Sequence, residues 1–131
     1  MRPQPVLADV THLIAEARAG GTVVEAELPD PLPAVADGVG LSVYRIIQEA
    51  LTNVLRHAGA RSVRLELTHG PAQLLIRVRD DGTAAVAGAP HGNGIAGMRE
   101  RARALSGRLS AAPHPAGGYE VRAELPIPDR G

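Results

Sequence analysis

R-I-I-Q-E-A-L-T-N-V-L-R-H-A, residues 45–58, is the stretch on which the fold turns. Wound at about 100° per residue, this segment and its approach gather Val43, Tyr44, Ile47, Ala50, Leu51, Val54, Leu55 and Ala58 on one broad apolar arc. Arg45, Glu49, Thr52, Asn53 and Arg56 fall on the opposite face. A pattern of that kind specifies a helix packed by one side onto a core. On its polar side Glu49 and Asn53 lie one turn apart and point the same way. A carboxylate and a carboxamide so placed offer oxygen ligands to a hard cation such as magnesium, which keeps waters and substrate phosphates for its other positions. The same pair also suits an ordinary solvated helix face, so the neighbouring segments have to decide between the two.

The composition narrows the chemistry. The chain has 131 residues, enough for one domain with a real core. Its 14 basic and 14 acidic residues cancel without a basic block, so nothing advertises a nucleic-acid surface. Every fixed positive charge is Arg, and the absence of Lys excludes a lysine nucleophile, a Schiff base and the G-x-x-x-x-G-K-[ST] phosphate loop. Absence of Cys removes disulfides, thiolate chemistry and cysteine-ligated zinc. No apolar run approaches the roughly 18 residues that span a bilayer, and the N-terminus lacks a signal-peptide layout. A cytoplasmic location with no direct membrane contact from this chain is expected. Phe and Trp are missing, so Val, Leu, Ile and Ala must build the core.

Outward from the central helix, residues 6–18 carry apolar positions at Val6, Leu7, Val10, Leu13, Ile14 and Ala17, a short helix stopped at Gly20-Gly21. Residues 22–28 alternate as a strand, and a Pro-broken connection over 29–33 leads to the main helix, expected over 38–58. Two strands, 62–68 and 73–79, follow around a His69-Gly70-Pro71-Ala72 turn, with Val63, Leu65 and Leu67 alternating against Arg64 and Glu66. That alternation predicts a hairpin with one face buried. After Asp80-Asp81-Gly82, residues 83–91 are small and nearly uncharged and read as a mobile loop. Gly92-Asn93-Gly94-Ile95-Ala96-Gly97 then opens a helix through Met98, Ala102 and Leu105, and strands over 108–112 and 119–125 close the chain around Gly117-Gly118. Strands in adjacent pairs predict an α/β, or α+β, two-layer sandwich: a mixed, mainly antiparallel sheet with helices on one face.

Three further pieces bear on the chemistry. Asp80 stands at a strand end with Gly82 two residues on, where a carboxylate can accept from an exocyclic amine such as adenine's and a glycine clears room for a flat ring. Taken alone, turn statistics favour a plain D-D-G turn between two elements. G-N-G-I-A-G is a GxGxxG string, but it does not follow a strand directly and no acidic strand end stands about 20 residues on, so a dinucleotide-binding βαβ unit fails on context. What survives is the physics of glycines at a helix start, where backbone N–H groups and the helix dipole favour phosphate. Arg56 and His57, at the end of the central helix, either complement its dipole or reach phosphate.

In order, E-x-x-x-N on a helix, strand-D-x-G, a loose loop and GxG opening a helix resemble the ATP-binding catalytic domain of bacterial sensor histidine kinases. That domain belongs to the wider GHKL group, with its Bergerat fold, that includes gyrase-type ATPases and anti-sigma kinases. Q-E-A-L-T-N-V-L-R-H-A is similar to the N box of this family, V-R-D-D-G to its first glycine box and G-N-G-I-A-G-M-R-E-R-A to its second. The wording R-I-I-Q-E-A-L-T-N and G-M-R-E-R-A is similar to the nitrate-sensor-like subgroup of two-component kinases. The resemblance covers essentially the whole chain and implies a single domain over 1–131, with an N-terminal helix, strand and Pro-rich connection over 1–37, the N-box helix over 38–58 and the nucleotide boxes and lid over 80–97. It implies ATP and Mg²⁺ as cofactors, with Asn53 on the magnesium and Glu49 as the catalytic residue, orienting a metal-bound water or assisting proton transfer. It places Arg56 and His57 near the phosphates, Asp80 on the adenine amine, Gly82 beneath the ring, Gly92, Gly94 and Gly97 at the phosphate end, and 83–91 as the ATP lid. Two departures stand out: Ala84 occupies the second glycine of D-x-G-x-G, and the final strand region, G-G-Y-E-V, lacks the threonine many members place there.

A sensor kinase phosphorylates a histidine on a separate dimerising helical domain and through it serves a response regulator. No acceptor motif surrounds His12, and with His69, His91 and His114 it reads as a surface residue. The chain is therefore expected to be an excised domain beginning just after the dimerisation helices; whether the parent kinase is membrane-anchored is left open. An anti-sigma-type serine kinase, an ATPase module, a degenerate nucleotide-binding domain without chemistry and a non-nucleotide structural domain are the alternatives.

Overall fold

The computed structural model describes residues 3–56, 62–82 and 92–127. A 3₁₀ turn at Leu7–Asp9 leads into α1 (Val10–Ala19), followed by β1 (Val23–Glu27), α2 (Asp37–Arg56), β2 (Ser62–His69), β3 (Gln73–Asp80), α3 (Gly92–Ala104), β4 (Arg108–Pro113) and β5 (Tyr119–Pro126). One five-stranded sheet is formed in the order β1-β2-β3-β5-β4. Three of its four pairings are antiparallel, and only β1 and β2, separated in sequence by α2, run parallel. The long helical crossover makes that parallel pair possible, because parallel neighbours cannot be joined by a tight turn. A mainly antiparallel sheet with helical cover is thus the observed architecture.

Alternation along the strands separates the two faces. Val63, Leu65 and Leu67 on β2, Leu74, Ile76 and Val78 on β3, and Val121, Ala123 and Leu125 on β5 are all buried toward the helices. The other face carries ion pairs, among them Arg77 with Glu120 at 3.0 Å and Arg108 with Glu124 at 3.1 Å. Exposed pairs of this sort contribute ~0–1 kcal/mol each, so the core holds the sheet together. On α2, Val43, Ile46 and Ile47 are fully inaccessible, and burying such side chains stabilises by about 1.5–3 kcal/mol apiece.

The arc of α2 differs in detail from the sequence reading. Ile46, absent from the expected apolar arc, is fully buried, while Leu55, included in it, is 58 % exposed. The reason is the number of neighbours: α2 packs against the 3₁₀ turn and α1, against α3 and against β3, which widens its buried face on the side of Ile46, whereas Leu55 falls on the same side of the helix as Gln48 and Thr52. Ala58 lies outside the described residues. Close approach at the start of α2 depends on Gly40, where a Cβ would stand 2.9 Å from the backbone nitrogen of Leu7.

The pairing register gathers several chain ends at one end of the sheet. Val63 pairs with Asp80, so β2 begins where β3 stops. Asp81 fastens that junction: its amide donates to the Ser62 carbonyl at 3.1 Å, and its Oδ1 accepts from the Ser62 amide at 3.0 Å. Arg79 pairs with Glu120, which brings the β4–β5 turn to the same end.

Candidate functional site

Glu49 and Asn53 occupy successive turns of α2, both half-buried. Both lie against the first turn of α3. A Cβ built on Gly94 would stand 3.3 Å from the Glu49 carboxyl carbon and 3.4 Å from both the Oδ1 and Nδ2 atoms of Asn53. A side chain at Gly94 would therefore press on the acid and the amide, and its absence lets the helix start approach them. Free backbone N–H groups at a helix start and its positive dipole end favour an anion. A carboxylate, a carboxamide oxygen and an anion-favouring helix terminus thus meet at one point.

Around this point a cleft of about 300 Å³ opens between α2 and α3. Arg45, Gln48, Glu49, Thr52 and Arg56 form its α2 wall, at the i, i+3, i+4 spacing of a single face. Gly94, Gly97, Met98 and Arg101 form the α3 wall. Gly97 borders it with no atom within 4 Å of where its Cβ would be.

The strand end lies beyond the lining of this cleft. Asp80 pairs with Val63 and follows Val78 by two residues, so its side chain belongs to the helix-covered face, at the rim. Its Oδ1 accepts a 2.8 Å hydrogen bond from the Gly82 amide, which folds the chain into a tight turn and buries Gly82. Behind it stands Gly118, also buried, with φ +82°, where a Cβ would collide with the Asp80 carbonyl oxygen.

Of the residues singled out from sequence, Glu49, Asn53 and Gly94 are brought together. Arg56 and Gly97 line the adjoining cleft. Asp80 and Gly82 share a turn at the same end of the sheet as the end of α2. Gly92 is the first residue of α3. His57, the 83–91 loop and Ala84 lie outside the described residues. Arg45, Gln48, Met98 and Arg101 were not picked out, although their spacing from Glu49 and Gly94 at helical period is a usable signal. Gly118 passed as a turn glycine; nothing in its neighbours announces that it packs on Asp80.

A family profile matches residues 38–129, from the start of α2 through the last strand, under the description histidine kinase-, DNA gyrase B-, and HSP90-like ATPase. The chain belongs to this ATPase family. Within it, the sensor histidine kinase YxjM of Bacillus subtilis is 34% identical over 89 residues, covering 68% of this chain and 22% of the relative. The signal transduction histidine-protein kinase/phosphatase UhpB of Salmonella typhimurium is 35% identical over 95 residues, covering 71% of this chain and 18% of that protein. The chain thus spans about a fifth of the length of these two curated relatives. Among solved structures, the ATP binding domain of PrrB from Mycobacterium tuberculosis superposes with a TM-score of 0.75 at 22% identity, covering 94% of each chain, and shows that the fold is shared. Among the described residues no helix is long and apolar enough to cross a membrane.

Proposed function

We propose that residues 1–131 form a single Mg-ATP-binding catalytic domain of a sensor histidine kinase, which donates the γ-phosphoryl group of ATP to a histidine on a separate dimerisation domain in two-component signalling. The observation that carries this reading is the meeting of Glu49, Asn53 and Gly94 at the first turn of α3, at the end of α2 nearest the Asp80 turn. Family membership and the names of the relatives support it, and the wording of residues 45–53 and 97–102 supports a place in the nitrate-sensor-like subgroup.

The residues divide the nucleotide between two regions. Asp80, at the rim of the helix-covered face, accepts from the adenine amine, and Gly82 leaves room for the ring. The phosphates lie toward the first turn of α3, where Gly92, Gly94 and Gly97 keep side chains out of the way and the N–H groups face the anion. Arg56 and His57 add positive charge or donors at the phosphate end. A hard-oxygen donor set suits magnesium: the carboxamide oxygen of Asn53 would hold it, with the Glu49 carboxylate beside it. Magnesium supplies neutralisation of phosphate charge when bound. Glu49 orients a water or assists proton transfer, and residues 83–91 serve as the ATP lid. In the transfer, the bond from the γ-phosphorus to its bridging oxygen breaks, a phosphorus–nitrogen bond to the imidazole forms, and ADP leaves. Catalysis of this kind rests on positioning and charge stabilisation. The parent kinase acts from the cytoplasm and serves a response regulator.

The test is label transfer. Given γ-labelled Mg-ATP and the histidine-bearing dimerisation domain of its parent kinase, the chain should deposit acid-labile phosphate on that domain and turn ATP over barely or not at all alone. Acid-stable label would indicate a serine kinase instead, and robust hydrolysis by the chain alone an ATPase module.

A further inference from the structure

The chain has no Phe and no Trp, and its only phenol rings are those of two tyrosines. One of the two stands beside the Asp80 turn. Arg79 pairs with Glu120 across β3 and β5, so the next rung toward that end of the sheet sets Tyr119 opposite Asp80. The strands approach closely there, and a Cβ on Gly118 would lie 3.5 Å from the Asp80 Oδ1 atom. Tyr119 precedes the buried Val121 by two residues, so its side chain leaves β5 toward the helix-covered face, as that of Asp80 leaves β3. Part of its ring packs against the core, and the residue is half-buried rather than closed over. The third side of the corner is α3. Burial raises the phenol above its ordinary pKa and the Arg99 guanidinium on α3 partly offsets this, so the ring is neutral at pH 7 and within electrostatic reach of the helix.

An adenine that gives its amine to Asp80 is held by one edge only. A flat base also needs an apolar surface against one of its faces. The aliphatic neighbours at this end of the sheet, Val63 opposite Asp80 on β2 and Val121 on β5, are already buried. Tyr119 is different, because it is flat, apolar over its ring, and open on one side next to the carboxylate that reads the base.

We propose that Tyr119 is a nucleotide-binding residue whose ring lies against a face of the adenine that Asp80 holds by its amine. This deepens the ATP reading of the Asp80 turn and rests on it. The two residues then divide the work. Every base has a π-face, so stacking on the ring adds affinity without choosing among bases, and the choice is left to Asp80. The contact is also independent of phosphate and metal, since it is made to the base alone.

Variants and a direct contact measurement test this together. Tyr119→Phe keeps the ring and should bind Mg-ATP within about twofold of the parent chain, whereas Tyr119→Ala should bind it about tenfold more weakly. Adenosine, which has no phosphate, should lose affinity for Tyr119→Ala by the same factor. With ring-labelled tyrosine, NMR sees two sets of ring signals, and the Tyr44→Phe chain assigns the one that remains to Tyr119. Saturating adenosine or Mg-ATP should give nuclear Overhauser contacts between that ring and the carbon-bound protons of adenine. They are read on the native ring, so they decide the question even where Tyr119→Ala does not fold. Absence of these contacts with Mg-ATP bound, or parent-like ATP affinity in Tyr119→Ala, would overturn the proposal and leave the kinase reading standing. Equal losses in the Phe and Ala variants would overturn it too, by moving the contact to the hydroxyl, and so would a loss seen with Mg-ATP but not with adenosine. Contacts to adenosine without any tightening by phosphates and magnesium would keep the base contact and sink the kinase reading. Failure of the parent chain to bind either ligand would overturn both.

Discussion

Asn53→Ala should lower Mg-dependent ATP affinity by on the order of 100-fold or more while leaving the melting temperature within about 2–3 °C of the parent chain. The carboxamide oxygen is the ligand offered to magnesium, and its loss removes a charge-assisted contact worth about 1.5–3 kcal/mol along with part of the metal's hold on the phosphates. Little else depends on it. Asn53 is half-buried on the polar side of α2, away from Ile46, Ile47 and Val54 in the core. Calorimetry with a parallel thermal melt checks both halves, and affinity close to that of the parent would remove Asn53 from the site.

Gly118→Ala should damage stability and nucleotide binding together, for a reason unconnected with the metal. At φ +82° an L-side chain is strained, and the added Cβ would meet the Asp80 carbonyl oxygen and lie 2.9 Å from the Asp80 carbonyl carbon. Backbone strain of about 1–2 kcal/mol and overpacking of about 1–3 kcal/mol together predict a fall in melting temperature of roughly 10 °C. Asp80 must move to relieve the clash, and its bond to the Gly82 amide moves with it, so ATP affinity should drop even where the variant is fully folded. Gly117→Ala is the internal control: its φ is +108°, but nothing lies within 4 Å of the added carbon, so only the backbone strain applies and ATP binding should survive. Equal melts for the two variants, with unchanged affinity, would contradict the packing of Gly118 on Asp80.

The fold was legible where a local period carries the information. Residues 62–69 and 73–80 alternate so regularly that the buried face of the hairpin follows from the sequence, because a strand offers only two faces. A helix is less constrained, and Ile46 shows it. Whether a residue at the edge of an apolar arc is buried depends on how many neighbours surround the helix, and α1, α3 and the sheet come from other parts of the chain. The parallel pairing of β1 with β2 was hidden for the same reason, since partners so far apart leave no mark in either segment.

Within the site, Glu49 and Asn53 were readable from their one-turn spacing, and Gly94 from the helix-opening glycines. Their contact with each other was not, because it is made only when α2 and α3 pack. Arg45 and Arg101 look in sequence like ordinary solvated helix charges, and only the packing of α2 against α3 brings them to one cleft. Gly118 is the clearest omission: its left-handed backbone and its contact with Asp80 arise from the β3–β5 register, which no turn pattern encodes.

The measurement that bears most directly on the account is a calorimetric titration of ATP into the unmodified chain, once with magnesium and once with the metal chelated. With Glu49, Asn53 and the first turn of α3 forming the phosphate end, one ATP should bind per chain in magnesium, and chelation should weaken that binding by at least about tenfold. No binding in magnesium, or the same affinity with the metal removed, would contradict it.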